Sequence, residues 1–188
     1  MRQLYTERKE IKGRMIARQK EGKDATKLNL AQHVRKILLN SGYGAITNKY
    51  YRWFDTRLGE SITLSGQFII QRAEKAINKF MNDLLGTTNK DYVIAIDTDS
   101  NYVNMQPLVD KFFADKPTDQ LIDILDKICH DQVQKILNQE FDQVAEYMNV
   151  YAQKMVMERE CIADSAFWTA KKRYAMNVWD TEGVRHKK

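Results

Sequence analysis

Val93-Ile94-Ala95-Ile96-Asp97-Thr98-Asp99-Ser100-Asn101-Tyr102-Val103 decides the reading of this chain. Two short runs rich in β-branched and aromatic residues flank an acidic turn, the pattern of a β-hairpin. Its tip carries two carboxylates two residues apart, with hydroxyls beside them. Strands on either side hold the backbone still, so Asp97 and Asp99 are presented at one rigid point. Carboxylate oxygens are the ligands that hard cations such as Mg²⁺ prefer. A solvated acidic turn is the plain alternative. A calcium loop fails on spacing, since its sixth position should be glycine and is Tyr102, and its twelfth should be glutamate and is Leu108.

Composition places the chain among globular proteins. Its 188 residues are 43% hydrophobic and 29% charged, enough for one core or for two small subdomains. No apolar run approaches the ~20 residues that span a bilayer, and no signal peptide opens the sequence. Cys129 and Cys161 have no framework spacing, which points to a reduced, intracellular compartment. Net charge is +5, unevenly spread: residues 1–36 carry +7, residues 171–188 carry +4, and the middle is left with −6. Basic ends around an acidic centre suit a protein that grips polyanions and holds a cation between them. Solvated helix faces would give the same tally.

Outward from the hairpin, helical patterns dominate. Residues 1–21 carry Leu4, Ile11, Met15 and Arg18 on one stripe, with Tyr5, Arg8, Lys12 and Gln19 beside it. Gly22-Lys23-Asp24 interrupts the pattern and Thr26 can cap a second helix. That helix carries Leu28, Leu30, Ala31, Val34, Ile37, Leu38 and Leu39 and should stop near Ser41-Gly42, making an antiparallel hairpin. Counting from the tip at 1.5 Å per residue puts Lys12 and Lys36 each roughly 15 Å away, hence level, with Arg8 near the height of Asn40. If those faces converge, three cations and an amide meet on one rung, a charge cluster that a nucleoside triphosphate would offset. Arg8 and Lys12 decorating a solvated face, paired with Glu7 or Glu10, is the alternative.

Residues 50–54 (Tyr50-Tyr51-Arg52-Trp53-Phe54) read as a short aromatic strand. A long helix should run from about Thr56 to Leu85, burying Ile62, Phe68, Ile69, Ala73, Ile77 and Phe80. Pro107 and Pro117 each open helical stretches, and residues 118–150 are amphipathic. Period-two patterning predicts strands near 154–162 and 166–179. The three histidines, His33, His130 and His186, have no ligand spacing.

Lys36-Ile37-Leu38-Leu39-Asn40-Ser41-Gly42-Tyr43-Gly44 has the form K-x-x-x-N-S-x-Y-G, and Asp97-Thr98-Asp99-Ser100 follows about fifty residues on. With Lys171-Lys172-Arg173-Tyr174 and the R-x-x-x-K of Arg8 and Lys12, this resembles family B DNA polymerases, most closely those of large tailed phages. The resemblance implies an α+β fold: an antiparallel helical hairpin (fingers, 1–48) attached to a partial antiparallel β palm packed on helices (49–188). By the same resemblance, Arg8, Lys12 and Lys36 would hold the triphosphate of a dNTP, supported by Asn40. Tyr43 would pack by the nascent base pair, where Gly42 and Gly44 give the template room. Asp99 would be a ligand of a catalytic Mg²⁺ pair, with Asp97 a lesser carboxylate nearby. Lys171, Lys172 and Arg173 would touch the primer–template DNA backbone, with Tyr174 near the primer end.

The family's further carboxylate sits on a D-x-x-S-L-Y-P-S strand that this sequence lacks, and neither an exonuclease nor a thumb is expected within it. The expectation is therefore a fingers–palm portion that needs a complementary chain, acting in the cytoplasm of a phage-infected cell. A catalytically inactive DNA- or nucleotide-binding module of the same ancestry is the alternative, and a purely structural helical protein a third. The acidic tip and the Lys36 side of the helices are expected to face one another across a cleft sized for Mg²⁺ and a deoxynucleotide.

Overall fold

The computed structural model describes residues 1–170 and 172–186. The fold is α+β. In chain order come α1 (Arg2–Lys20), α2 (Thr26–Ile46), α3 (Thr56–Leu85), β1 (Val93–Asp97), β2 (Ser100–Val103), α4 (Gln106–Phe112), α5 (Thr118–Ile128), a π-helical turn (Cys129–Val133), α6 (Gln134–Tyr147), β3 (Cys161–Ala170), β4 (Arg173–Thr181) and β5 (Val184–Arg185). β1 and β2 form an antiparallel pair, and a separate sheet has the order β3-β4-β5. Residues 1–64 with the stretch from Thr181 onward form one compact unit, and residues 65–180 form a second. Among the described residues no helix is long and apolar enough to cross a membrane.

In the first unit α1 and α2 run antiparallel. The turn between them is closed by Asp24, whose carboxylate accepts the amide of Thr26 at 3.0 Å and its hydroxyl at 2.6 Å. Asp24 therefore does the capping expected of Thr26. Those two donors, the hydroxyl first, hold the Asp24 carboxyl below its ordinary range. α2 does not stop at Ser41-Gly42 but runs through both glycines to Ile46. A mid-helix glycine costs only about 1 kcal/mol, and a Cβ on Gly42 would sit 1.9 Å from the Met1 terminal methyl. Residues 50–54 form turns instead of a strand. Asn48 accepts the Tyr50 amide through its side chain and the Tyr51 amide through its carbonyl, and Tyr50 and Trp53 stay 85% and 66% exposed. With no strand to pair with, local Asx-turn chemistry outweighs aromatic β-propensity.

The second unit is organised on α3, which spans Thr56–Leu85 as its pattern predicts. Ile69, Ala73, Ile77, Met81 and Leu85 recur every four residues and pack with Tyr92, Val93, Leu108, Leu137, Phe141 and Val144. Ile62, expected on the buried side, is 52% exposed, because this core begins only at Phe68. The α3–α6 contact adds a Phe68–Tyr147 stack at 6.4 Å and an Arg72–Glu140 ion pair at 2.5 Å. Pro107 and Pro117 stand at the starts of α4 and α5. Residues 154–160 carry no strand, so the strand expected near 154–162 is absent, and the one expected over 166–179 is broken by the turn of the β3–β4 hairpin. Its turn residue Lys172 has φ 62°, and Thr169 Oγ1 donates to the Arg173 carbonyl at 3.1 Å. Arg159, half-buried, pairs with both Asp126 and the buried Asp180, fixing the end of β4 to α5.

Two α3 amides tie the core to β1. Asn78 Oδ1 accepts the backbone amides of Tyr92 (2.8 Å) and Val93 (3.1 Å), and its Nδ2 donates to Asp91 at 2.8 Å. Asn82 Nδ2 donates to the Lys90 carbonyl at 2.7 Å while its Oδ1 accepts the Lys90 amide at 3.0 Å. Asn78→Ala strips the partner from the buried Tyr92 amide and leaves the Val93 amide with Asp91 alone, and should destabilise the protein by about 1–3 kcal/mol. Chemical denaturation followed by circular dichroism checks this, and an unchanged midpoint contradicts it.

Candidate active site

The acidic hairpin forms as its sequence dictates. Val103 pairs with Val93, Tyr102 with Ala95, Asn101 with Ile96 and Ser100 with Asp97, the register shifting between Val93 and Ala95. Thr98 and Asp99 are left as the turn. Side chains alternate across a strand, so Asp97 lies on the face of Val93 and Ala95 and is half-buried, while Asp99 projects exposed from the tip. Thr98 donates to the Asp97 carboxylate at 3.1 Å, and Ser100 Oγ to the Asp97 carbonyl at 3.1 Å. A two-residue hairpin turn needs positive φ at its first central position, and Thr98 adopts φ 40°. For a β-branched residue that is strained.

Asp97 and Asp99 supply hard oxygen ligands of the kind Mg²⁺ takes beside retained waters. Among the described residues there is no group of three or more His, Cys, Asp or Glu side chains able to hold a metal ion. The donor set fits a magnesium ion in kind. Facing away from Asp97, Asn101 has both side-chain polar atoms buried without a hydrogen-bond partner.

The β3–β4 hairpin lies in the same unit. Lys172 and Arg173 are exposed at its turn, and Tyr174 is partly exposed at the start of β4. Lys171 lies outside the described residues. Sequence reasoning missed Tyr102 and Trp168, which pack here against Tyr174. Tyr102 lies some seventy residues in sequence from both Trp168 and Tyr174, beyond the reach of periodicity.

In the first unit the expected rung does not form. Arg35 donates to Glu7 at 2.9 Å across the two helices, and Met1 lies against Gly42. This register puts Lys36 near the height of Thr6, about 9 Å along the axis from Lys12. Rotation differs as well: Arg8 and Lys12 are half-buried, whereas Lys36, Asn40 and Tyr43 share an exposed side of α2. The cause is that Arg35, not Lys36, sits on the stripe of α2 turned to α1. Arg35 and then Gln3 hold the Glu7 carboxyl below its ordinary range. Lys12 forms an ion pair with Glu182, and the Arg8 Nε is buried without a hydrogen-bond partner. Gly44 has open space around it. Tyr43, Thr47, Phe54, Thr56, Gly59, Glu60 and Thr63 line a cleft of about 260 Å³.

Replacing Thr98 by glycine removes backbone strain of about 1–3 kcal/mol against a glycine entropy cost of about 0.5–1 kcal/mol. Thr98→Gly should therefore raise stability by about 1 kcal/mol. A urea midpoint at or below the parent's would show that the turn is unstrained.

Residues 1–188 match DNA polymerase family B over their whole length. The chain is 39% identical over 166 residues to the DNA-directed DNA polymerase of Escherichia phage RB69, covering 83% of this chain and 18% of that protein. It is 36% identical over 173 residues to the DNA-directed DNA polymerase of Enterobacteria phage T4, covering 87% of this chain and 19% of that protein. The chain thus spans about a fifth of the length of these curated relatives.

Proposed function

Because the chain belongs to DNA polymerase family B, we propose that it is the fingers–palm portion of a DNA-directed DNA polymerase that transfers a nucleotide from a dNTP to a primer 3′ end. The observation that carries this reading is the acidic turn. Asp97 and Asp99 stand on a hairpin anchored by Asn78 and the buried Tyr92 and Val93, in the same unit as the exposed Lys172-Arg173-Tyr174 turn. Metal ligands and primer contacts on one compact body suit a reaction that depends on positioning more than on covalent help from the protein.

In this reading Asp99, with Asp97 beside it, would hold Mg²⁺, which when bound neutralises charge on the phosphates. Lys36, with Asn40 beside it on the exposed side of α2, and Arg8 and Lys12 of α1 are the cations offered to the triphosphate, and the two sets meet it only if the helices of the hairpin shift against one another. Lys12 exchanges Glu182 for a phosphate oxygen when it binds. Tyr43 packs by the nascent base pair, with Gly42 and Gly44 leaving room for the template. Lys171, Lys172 and Arg173 hold the primer–template backbone through sequence-blind, salt-sensitive contacts, and Tyr174 meets the primer end. The missing carboxylate comes from residues outside this sequence, in a complementary segment or chain bearing the D-x-x-S-L-Y-P-S strand. Such an enzyme works in the cytoplasm of an infected bacterial cell.

Primer extension with Mg²⁺ tests the proposal. The 188-residue polypeptide alone should extend little or nothing, and adding the complementary segment should restore templated synthesis. In that complex Asp99→Ala should lower the rate by at least about 10²–10³-fold, the scale of losing one group that stabilises transition-state charge. Full synthesis by Asp99→Ala would move the metal site elsewhere. Restored DNA and dNTP binding with no synthesis would identify the inactive binding module instead.

A further inference from the structure

The acidic hairpin and the β3–β4 hairpin belong to different sheets, with no backbone ladder between them. Side chains join them, chiefly through Tyr102. Its pairing with Ala95 puts it on the face of the hairpin that also carries Asp97 and Ser100. On that face its ring meets Trp168 of β3 edge-on, centroids 5.3 Å apart at 78°, and Tyr174 of β4 at 5.5 Å and 66°. Trp168 and Tyr174 close the triangle at 6.2 Å and 34°. Edge-to-face geometry of this kind adds to simple burial and fixes mutual orientation. The phenols interact as well: burial first, then a hydrogen bond with Tyr174, pushes the Tyr102 hydroxyl up to about 12, opposed by a hydrogen bond with Ser100. Tyr174 remains 42% exposed, so part of its ring stays open to a ligand.

We infer that Tyr102 is a positioning residue: its ring and hydroxyl fix Tyr174 relative to the Asp97–Asp99 turn, so one contact sets the distance between primer end and metal ligands. The inference rests on the polymerase reading above and adds to it a residue that touches neither DNA nor nucleotide. Trp168 backs the same contact from β3. The arrangement matters because displacing a reacting atom by 1 Å can cost about 10²-fold in rate. With Tyr102 truncated, Tyr174 keeps its own strand but loses its orientation toward the carboxylates.

The experiment uses the polypeptide together with its complementary segment, and measures single-nucleotide addition to matched and 3′-mismatched primers. Tyr102→Leu should lower kcat about 10²-fold, with KM for dNTP unchanged within about two-fold and with weaker discrimination against the mismatched end. Tyr102→Phe keeps the ring and loses the hydroxyl, and should rescue most of the loss, leaving a deficit of about five- to ten-fold. A folded Tyr102→Leu with parental kcat overturns the inference, as does a loss confined to KM. If Tyr102→Leu fails to fold, Tyr102→Phe decides: parental kcat and discrimination overturn the inference, and a drop in kcat alone supports it. Asp99→Ala separates the two levels. Synthesis that survives it moves the metal site away from the hairpin and removes the premise of the inference, whereas synthesis that it abolishes while both Tyr102 variants match the parent sinks only this inference.

Discussion

Two asparagines on α3 hold the acidic hairpin of this chain in place. Asn78 and Asn82 sit on the side of the helix beside its apolar stripe, and between them bind the backbone of residues 90, 92 and 93. A side-chain amide offers two donor and two acceptor positions, so each residue can bridge a helix to a loop that has no ladder of its own. Tyr92 completes the junction, its ring buried in the core and its hydroxyl 2.8 Å from Thr87 Oγ1. The loop from Gly86 to Asp91 thus leaves the helix, turns, and delivers β1 at a fixed height. Every residue from Val93 to Asp99 inherits that height, which is why an exposed acidic tip can be well placed.

What could be read from sequence follows from how local its causes are. The acidic hairpin and the bounds of α3 were legible because β-branched runs, a two-residue turn and a four-residue apolar spacing act within a few residues. The prolines at 107 and 117 act locally too, by fixing φ and removing a donor. Residues 50–54 were misread because their aromatic composition fits a strand only when another strand is present. The second helix runs past the stop that its glycines suggest, and Gly42 lies where Met1 approaches. Tyr102 carries the plainest lesson. It was treated as a failed calcium-loop position, and its significance lies in Trp168 and Tyr174, which no window of sequence joins to it.

The basic N-terminal segment shows why net charge says so little about function. Of its cations, Arg35 is spent on Glu7 and fixes helix register, Lys12 is paired with Glu182, and Lys36 stands exposed. One stretch of sequence thus contains a structural cation, a compensated one and an open one. Only the last is available to a ligand without rearrangement. A triphosphate brings about four negative charges, enough to displace a single carboxylate from a half-exposed lysine, because such pairs are worth only about 0–1 kcal/mol. An ion pair at Lys12 is therefore compatible with nucleotide binding there.

The same weighing applies to the acidic tip, with the opposite outcome. Thr98, between the two carboxylates, adopts a φ that a β-branched residue avoids. That cost persists only because the hairpin on either side is held: Val93 by the core and Asn78, Tyr102 by its aromatic neighbours. Glycine at position 98 would satisfy the turn more cheaply, but it would also leave the tip free to move and would remove the hydroxyl that donates to Asp97. Strain between two clamped strands favours rigidity over stability. That balance is the one the proposed pair of metal ligands would need.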